Sequence, residues 1–409
     1  MGTTTHRQHR PIPAAIRRRS GAAPRSHGSF VTVAGIAAAL VTLSAAVLGV
    51  AGVVLDQDYY QRHVSVSRCF TGPLDHVLAA ILRGALLTAC AILFASVPRL
   101  ARRASRVPPR VALAAMARVG MAILAALLLA ETVLRLNKFG ESPPIGGPGP
   151  LVVNDGRYGW RFMPSQTAHV TQSGREIEYA IDARGNRAAN ESSAIDPSRP
   201  TLLVTGESIG FGFGLAWEDT FASRVGEALG LQVENLSVPR YGNDQGWLRL
   251  SDELARLEHP VVIVTVFIDK QLRRDVSRER PHLSFQGDTF ALVPAAGFLD
   301  PRLAIFWTDE PFHGDTGVGI ARRIFQETTI AARARGAMAL FLVTNYGPRC
   351  DCSGEPWYVQ ELFDSDRSRH VDVWIPPEEW QAPDDFHPDP RGAKRIADQL
   401  IAAVQRADR

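Results

Sequence analysis

The sequence predicts an α/β domain on a doubly wound, mostly parallel sheet, preceded by an all-α membrane segment of three transmembrane helices. Two observations predict this arrangement. Three long apolar runs fall in the first third of the 409 residues. From position 201 onward, short apolar and β-branched runs alternate with amphipathic stretches, a rhythm typical of a parallel sheet with helices on both faces.

The three apolar runs cover residues 30–55, 77–97 and 111–134. Each reaches or exceeds the roughly 20 residues that a helix needs to cross a hydrocarbon layer of about 30 Å. Arg83 lies inside the second run and Glu131 inside the third. Because a charge at mid-membrane costs about 3 kcal/mol on insertion scales, we expect such side chains to snorkel, pair or face other helices.

Flanking charge predicts the orientation of these helices. Arginines are concentrated in the tail, residues 1–28, and between the second and third runs, whereas the loop between the first two runs has only Arg62 and Arg68. Since positively charged flanks stay in the cytoplasm, the chain after the third run is predicted to lie on the extracytoplasmic side of the inner membrane. A cleaved secretory signal in the first run would leave this orientation unchanged.

The chain divides into four predicted parts. A basic cytoplasmic tail is followed by the membrane region, residues 29–135, and a Pro- and Gly-rich linker, residues 136–153. The domain covers residues 154–409, with its core from 201 and an insertion at about 275–319. A net charge of +3, without an aromatic-interleaved basic stripe, argues against a nucleic-acid partner. None of the four cysteines has zinc-site spacing.

The predicted elements of the domain alternate in order along the chain. Strands are expected at residues 201–205, 231–238, 260–267 and 337–344. Helices are expected at residues 218–229, 245–257, 320–335 and 390–404. Residues 154–188 show short strand-like pieces with glycine turns, and we expect them to pack on the domain.

Ser208 directly follows the first strand, within Gly-Glu-Ser. Open α/β sheets place their chemistry at the carboxyl ends of the strands, so a serine there is a candidate nucleophile. Gly206 permits the sharp turn that lets the hydroxyl stand clear of the sheet. The glycine-rich turn that follows lacks the Lys-Ser/Thr pair of a phosphate-binding loop and the spacing of a dinucleotide fingerprint, which argues against a nucleotide site.

His387 lies far downstream, just before the last helix. An acid near it in the chain can hold the imidazole through its Nδ1–H, which leaves the other nitrogen free to take the serine proton. Asp384 and Asp385 are the two candidates, and we prefer Asp384 because Asp385 lies so close to its own partner in sequence that its reach is poor. The predicted triad is Ser208, Asp384 and His387. It needs no cofactor and no metal.

Three segments resemble the SGNH (GDSL-like) hydrolase family, and in particular its membrane-anchored bacterial members. They are GESIGFGFGLAWEDTF, ENLSVPRYGNDQ and DDFHPDPRGAKRIADQL. The resemblance covers roughly residue 154 to the C-terminus and implies a flavodoxin-like sheet. It also implies Ser208 as nucleophile, the amides of Ser208 and Gly242 as oxyanion donors, and Asp384 with His387 as the acid–base pair.

The chain departs from the family pattern at two places. Glu207 stands where the family's first block usually has Asp. The family's third block usually supplies an asparagine to the oxyanion hole, and Lys270 or Asp269 aligns with it here. Candidates for the missing donor are Lys270, as a cation, and Asn243, from the second block. Loss of one oxyanion donor lowers turnover on the order of 100-fold or more.

The function expected from these residues is that of a membrane-anchored serine esterase. Its substrate would be an acylated small molecule, glycan or lipid outside the cytoplasmic membrane. One alternative is an O-acyltransferase of envelope polysaccharide, which would use the same triad and need a membrane partner that supplies acyl groups. A second alternative, favoured by the altered third block, is a non-catalytic carbohydrate-binding or assembly protein.

Overall fold

The computed structural model describes residues 27–54, 73–139, 151–286, 289–297, 299–300, 314–346, 357–363, 370–382 and 385–407. Most of the predicted tail and linker lie outside these residues, and so does Asp384. Contacts within the chain group it into two units. One contains parts of the three apolar helices, and the other contains the rest of these helices and the α/β domain.

Three N-terminal helices are long and apolar enough to cross a membrane, with candidate spans at Gly35–Val54, Ala80–Ala104 and Arg110–Val133. The helices themselves are α1 (His27–Val54), α2 (Pro73–Ala104) and α3 (Pro109–Phe139). Two of the charges within them have partners. Arg83 Nε donates to the carbonyl of Gly52 at 3.1 Å, and Glu131 pairs with Arg135 one turn later at 2.6 Å.

The domain is built on an eight-stranded sheet with the order β12-β11-β8-β6-β7-β5-β4-β3. Its strands are β3 (Gln166–Gln172), β4 (Arg175–Ile181), β5 (Arg187–Ala188), β6 (Thr201–Thr205), β7 (Gln232–Asn235), β8 (Pro260–Phe267), β11 (Met338–Tyr346) and β12 (His370–Ile375). The strands from β12 to β7 are parallel. Counted along the chain, the parallel strands follow the flavodoxin-like order 2-1-3-4-5.

Helices cover both faces of the parallel strands, which confirms the doubly wound fold. They are α4 (Ser208–Phe211), α5 (Phe221–Leu229), α6 (Asn243–Leu254), α7 (Lys270–Arg274), α8 (Gly314–Ala334), α9 (Trp357–Phe363) and α10 (Pro390–Ala407). Side chains of α6, α8 and α9 form one core with alternate strand residues such as Leu203 and Ile263. Side chains of α5 and α10 form the other core with the intervening residues, such as Leu202 and Val262.

The segment before the core contributes directly to the main sheet. Strands β3, β4 and β5 extend it in the antiparallel direction, and β5 joins β7 through the pair Arg187 and Asn235. A separate hairpin of β1 (Val152–Asp155) and β2 (Gly159–Phe162) precedes them. The prediction that residues 154–188 only pack on the domain understated their role, because their strands continue its hydrogen-bond ladder.

The remaining strands form two small hairpins. The predicted insertion contains β9 (His282–Gln286) and β10 (Thr289–Val293), paired antiparallel. Near the C-terminus, β13 (Trp380–Ala382) pairs with β14 (Asp385–Pro388), just before α10. The second of these hairpins carries the histidine that sequence analysis singled out.

Candidate active site

Ser208 lies at the point where the order of the parallel strands reverses. Strand β6 ends at Thr205, between β7 and β8, and Ser208 begins the short helix α4. Gly206 makes this turn with φ of 145°, and a Cβ there would lie 2.8 Å from Cβ of Val266. Only glycine fits that approach, so the turn places the serine at the switch point where open α/β sheets bind ligands.

Ser208 and His387 meet despite their separation in sequence. Nε2 of His387 lies 2.8 Å from Oγ of Ser208, and Nδ1 of the same ring lies 2.5 Å from Oδ1 of Asp385. The ring also packs on Phe213, with 4.8 Å between the ring centroids. A hydroxyl, an imidazole and a carboxylate are therefore in contact in the order that general-base activation of a serine requires.

The carboxylate beside His387 belongs to Asp385, not to the preferred Asp384. The expectation that Asp385 reaches poorly is wrong, because β14 is extended and residues two apart on a strand lie on the same face. Hydrogen bonding to His387 lowers the pKa of Asp385 to about 2. Gln172 on β3 also donates its Nε2–H to Oδ2 of Asp385 at 2.9 Å.

Glu207 provides a second acceptor beside the nucleophile. Its side chain is 1% exposed, accepts from the backbone amide of Ile209 at 2.8 Å and accepts the hydroxyl of Ser208. Nη1 of Arg274 lies 3.8 Å from the same carboxylate. A carboxylate at this position therefore caps α4 and also holds the serine hydroxyl in the resting arrangement.

The structure does not bring Gly242 or Asn243 to Ser208. The amide of Gly242 donates to Oε1 of Gln245 at 3.0 Å, and the side chain of Asn243 donates to Asp275 at 2.7 Å. Neither residue lines the cavity around Ser208. The expected oxyanion roles of both residues are corrected accordingly, since both belong to the N-terminal cap of α6.

The need for glycine at position 242 is steric and has a different cause. A Cβ there would lie 2.5 Å from Oδ1 of Asp244 and 2.6 Å from Oδ1 of Asp275. Asp275 accepts from the backbone amides of Asn243 and Asp244, so it satisfies the start of α6 from a distant part of the chain. Glycine is required because two carboxylates crowd this helix end.

The third candidate donor, Lys270, does line the cavity around Ser208. It is the first residue of α7, directly after β8, and it is exposed. Asp269, the alternative position, does not line the cavity, and burial raises its pKa. Of the two residues that align with the family's asparagine, only the cation is in reach of the site.

The amide of Ser208 is placed where it could act as an oxyanion donor. It is the first amide of α4, and among the described residues it donates to no acceptor. Amides at a helix start lack intrahelical partners, so this one is available to a developing negative charge.

A cavity of about 460 Å³ opens on these groups. Its apolar lining consists of Ile209, Phe213, Pro239, Ile268 and Phe386. Its polar and charged lining consists of Gln172, Glu207, Ser208, Arg240, Lys270, Arg274, Asp385 and His387. Within the described residues, no group of three or more His, Cys, Asp or Glu side chains is placed to hold a metal ion.

Sequence analysis missed three polar or charged members of this cavity. Arg240 lies shortly after β7, so a search for charged residues just after predicted strands would have found it, whereas Arg274 is the last residue of α7. Gln172 lies on β3, a strand that was not expected in the main sheet, so nothing in its own sequence context indicated a role.

No protein-family model matches the chain, and no curated protein does either. The solved structures that it resembles include TesA, with 16% identity, a TM-score of 0.31, and coverage of 50% of this chain and 98% of TesA. Another is a lipolytic protein of the G-D-S-L family from Desulfitobacterium hafniense, with 12% identity, a TM-score of 0.31, and coverage of 50% and 98%.

A third similar structure is an acetyl xylan esterase, Est2A, from the rumen bacterium Butyrivibrio proteoclasticus. It has 12% identity and a TM-score of 0.32, and the match covers 53% of this chain and 66% of the esterase. These neighbours are of the lipolytic G-D-S-L and esterase type that the sequence motifs resemble. Identities and TM-scores this low carry no information about activity.

Proposed function

We propose that this chain is a membrane-anchored serine esterase. Ser208 attacks the ester carbonyl, His387 takes the hydroxyl proton, and Asp385 orients the imidazole. The observation that carries the proposal is the contact of Ser208 Oγ with His387 Nε2 at 2.8 Å, with Asp385 on the other ring nitrogen. A carboxylate that stays ionised at neutral pH stabilises the imidazolium that forms when the proton moves.

The reaction proceeds through two acyl transfers. Oγ of Ser208 forms a bond to the carbonyl carbon, the alcohol oxygen leaves with the proton that His387 received, and an acyl-serine remains. Water then attacks the acyl group, His387 accepts its proton, and the acid is released as Oγ regains a proton. The Ser208 amide and the Lys270 ammonium are the groups that we assign to stabilise the oxyanion in both steps.

We place the catalytic domain on the extracytoplasmic side of the inner membrane. The support is the length and apolar composition of the three helices, together with the arginine-rich segments that flank them. An anchored esterase there would meet acylated glycans and lipids, and we propose these as its substrate class.

Two observations favour the alternatives to hydrolysis. The side chain of His387 is 29% exposed, so a sugar hydroxyl could replace water as acyl acceptor, as in an O-acyltransferase supplied by a membrane partner. The hydroxyl of Ser208 donates to Glu207, which favours a non-catalytic binding protein if that contact persists with ligand bound.

A fluorophosphonate probe separates a catalytic from a non-catalytic site. We expect the full-length chain in a neutral detergent to be labelled, and the Ser208→Ala variant not to be. Ser198→Ala, which changes an exposed serine in a loop, is the matched control and should label like the wild type. Absence of labelling in the folded wild type would contradict the esterase and transferase proposals together. Release of acid to water, compared with acyl transfer to an added sugar, then distinguishes those two.

A further inference from the structure

Three basic side chains line the cavity of the nucleophile. They are Arg240, Lys270 and Arg274, and they outnumber the two acids of the same cavity, Glu207 and Asp385. A site that only had to accept a neutral ester would not need this concentration of positive charge. The surroundings of each charge indicate which cations face a ligand.

Both acids of the cavity are engaged inside the protein. Glu207 is buried, caps α4 and lies 3.8 Å from Arg274, whose Nη1 also donates to the carbonyl of Tyr241 at 3.1 Å. Asp385 accepts from His387 and Gln172. Arg274 is partly buried beside these groups, whereas Arg240 and Lys270 are the two exposed basic residues of the lining.

Arg240 and Lys270 follow the two strands that flank the strand of Ser208. Arg240 follows β7 and Lys270 follows β8, and these two strands flank β6, whose end carries the nucleophile. Because parallel strands present their carboxyl ends at one edge, the two cations bracket the reacting hydroxyl. An anionic group bound near the ester would meet positive charge from both directions.

Arg240 also has an unfavourable backbone conformation. Its φ is 66°, in the left-handed region that glycine adopts at little cost. The other described residues of this kind, apart from glycines, are Ser165 and Ser173, beside the ends of β3. A long cationic side chain kept in that conformation at a cavity wall indicates that the side chain itself is used, since strain of this kind is concentrated at functional sites.

We propose that the substrate carries a carboxylate or phosphate close to its scissile ester, and that Arg240 and Lys270 bind this anion. The inference rests on the proposed esterase function and narrows its substrate class to acidic glycans or acidic lipids. Arginine suits the role because its planar guanidinium pairs two oxygens of a carboxylate or phosphate at once, and lysine adds a point charge from the other side.

Matched ester pairs test the proposal on the full-length chain in neutral detergent. The pair 4-acetoxybenzoate and methyl 4-acetoxybenzoate places the charge on the alcohol side. The pair mono-4-nitrophenyl adipate and 4-nitrophenyl hexanoate places it on the acyl side. We expect kcat/KM to favour the anionic member of at least one pair about tenfold, and the preference to fall with added salt.

Three variants assign this preference to residues. Lys270→Gln and Arg240→Gly should each lower the ratio of anionic to neutral kcat/KM several-fold, and Lys394→Gln, at an exposed position of α10, should not. Arg240→Gly should not lower the midpoint of thermal unfolding, because glycine accepts the positive φ. If Lys270→Gln lowers both members of a pair equally, the lysine serves the oxyanion alone. If neither variant changes the ratio, the proposal is wrong.

Binding separates this proposal from the esterase proposal. The Ser208→Ala variant cannot turn over either ester, so its equilibrium affinity for 4-acetoxybenzoate and the methyl ester can be measured by calorimetry. Tighter binding of the anion, weakened by Arg240→Gly in the same background, supports the anion site even if the wild type proves inactive. Equal affinity for both esters overturns it, whatever the wild type hydrolyses.

Discussion

Asp385 and the pair Asp244 and Asp275 are carboxylates near the same edge of the sheet, and their surroundings shift their pKa values in opposite directions. Asp385 is partly exposed and bonded to His387, which lowers its pKa to about 2. Burial raises the pKa of both Asp244 and Asp275, and Asp275 raises that of Asp244 further. Ionisation is therefore favoured at Asp385 and opposed at Asp244 and Asp275.

The difference lies in what each carboxylate is bonded to. Asp385 contacts an imidazole that can become a cation, so the negative charge of Asp385 can stabilise that cation during proton transfer. Asp275 accepts from two backbone amides and one side-chain amide, so its oxygens replace the partners that the first turn of α6 lacks. Under the proposed function, Asp385 takes part in catalysis, whereas Asp275 stabilises the start of α6.

Replacing the catalytic carboxylate should have the largest effect. We expect Asp385→Asn to lower kcat about ten-thousand-fold, because an amide no longer fixes the imidazole tautomer or stabilises its cation. The measurement is the rate of hydrolysis of a neutral ester. Asp384→Asn is the matched control and should stay within a few-fold of the wild type. A large loss in Asp384→Asn with little in Asp385→Asn would reverse the assignment.

Removing the carboxylate of Asp275 should lower the stability of the folded protein. Asp275→Ala leaves three buried donors without an acceptor, and we expect the free energy of unfolding to fall by about 3–5 kcal/mol. Turnover per folded molecule should change little. Asp252→Ala, at an exposed position of α6, is the control and should change stability by less than about 1 kcal/mol. A loss of turnover in folded Asp275→Ala would place this cluster in the catalytic machinery.

Much of this fold and part of this site were predictable from sequence, because both depend on local patterns. The β-branched runs at 201–205 and 260–267 match β6 and β8, and the glycine turn after β6 predicted the exposed serine. Ser208 and His387 also follow from their places beside a strand and a helix. Each pattern encodes a local geometry, and the folded sheet then brings these local structures together.

The rest could not be predicted because it depends on distant partners. Gly242 and Asn243 match a familiar motif, but the reason for them is Asp275, which only the folded chain brings to α6. Asp385 was rejected on sequence spacing, which does not reveal that β14 is extended. The position of Gln172 depends on the pairing of β3 with β4. No short sequence pattern predicted that β3 belongs to the main sheet.

Glu234 on β7 tests how strongly burial acts on a carboxylate that also lies beside Arg256. Burial raises its pKa to about 7, and its Oε2 has no hydrogen-bond partner among the described residues. Between about pH 4.5 and 7 the folded chain therefore keeps a proton that the unfolded chain has released, so stability falls as pH rises through this window. We expect Glu234→Gln to be up to about 3 kcal/mol more stable than the wild type above pH 7.

The difference between the two proteins should be smallest near pH 4.5, where Glu234 is protonated in the folded chain and about half protonated in the unfolded chain. Unfolding of the full-length chain in detergent, followed from pH 4.5 to 8, measures the difference. Glu258→Gln, at an exposed position, is the control and should show no such trend. A constant difference across this pH range would mean that Glu234 is ionised in the folded protein throughout.

Gln172 should give the smallest effect, because it acts on Asp385 and not on the reacting atoms. Its Nε2–H is one of the donors that lower the pKa of this carboxylate. Gln172→Ala should lower kcat about three- to tenfold and move the acid-side loss of activity to higher pH, since Asp385 would protonate more readily. Gln166→Ala, exposed on the same strand, is the control. A fall in kcat without a shift of the pH profile would mean that Gln172 positions Asp385 sterically and does not tune its charge.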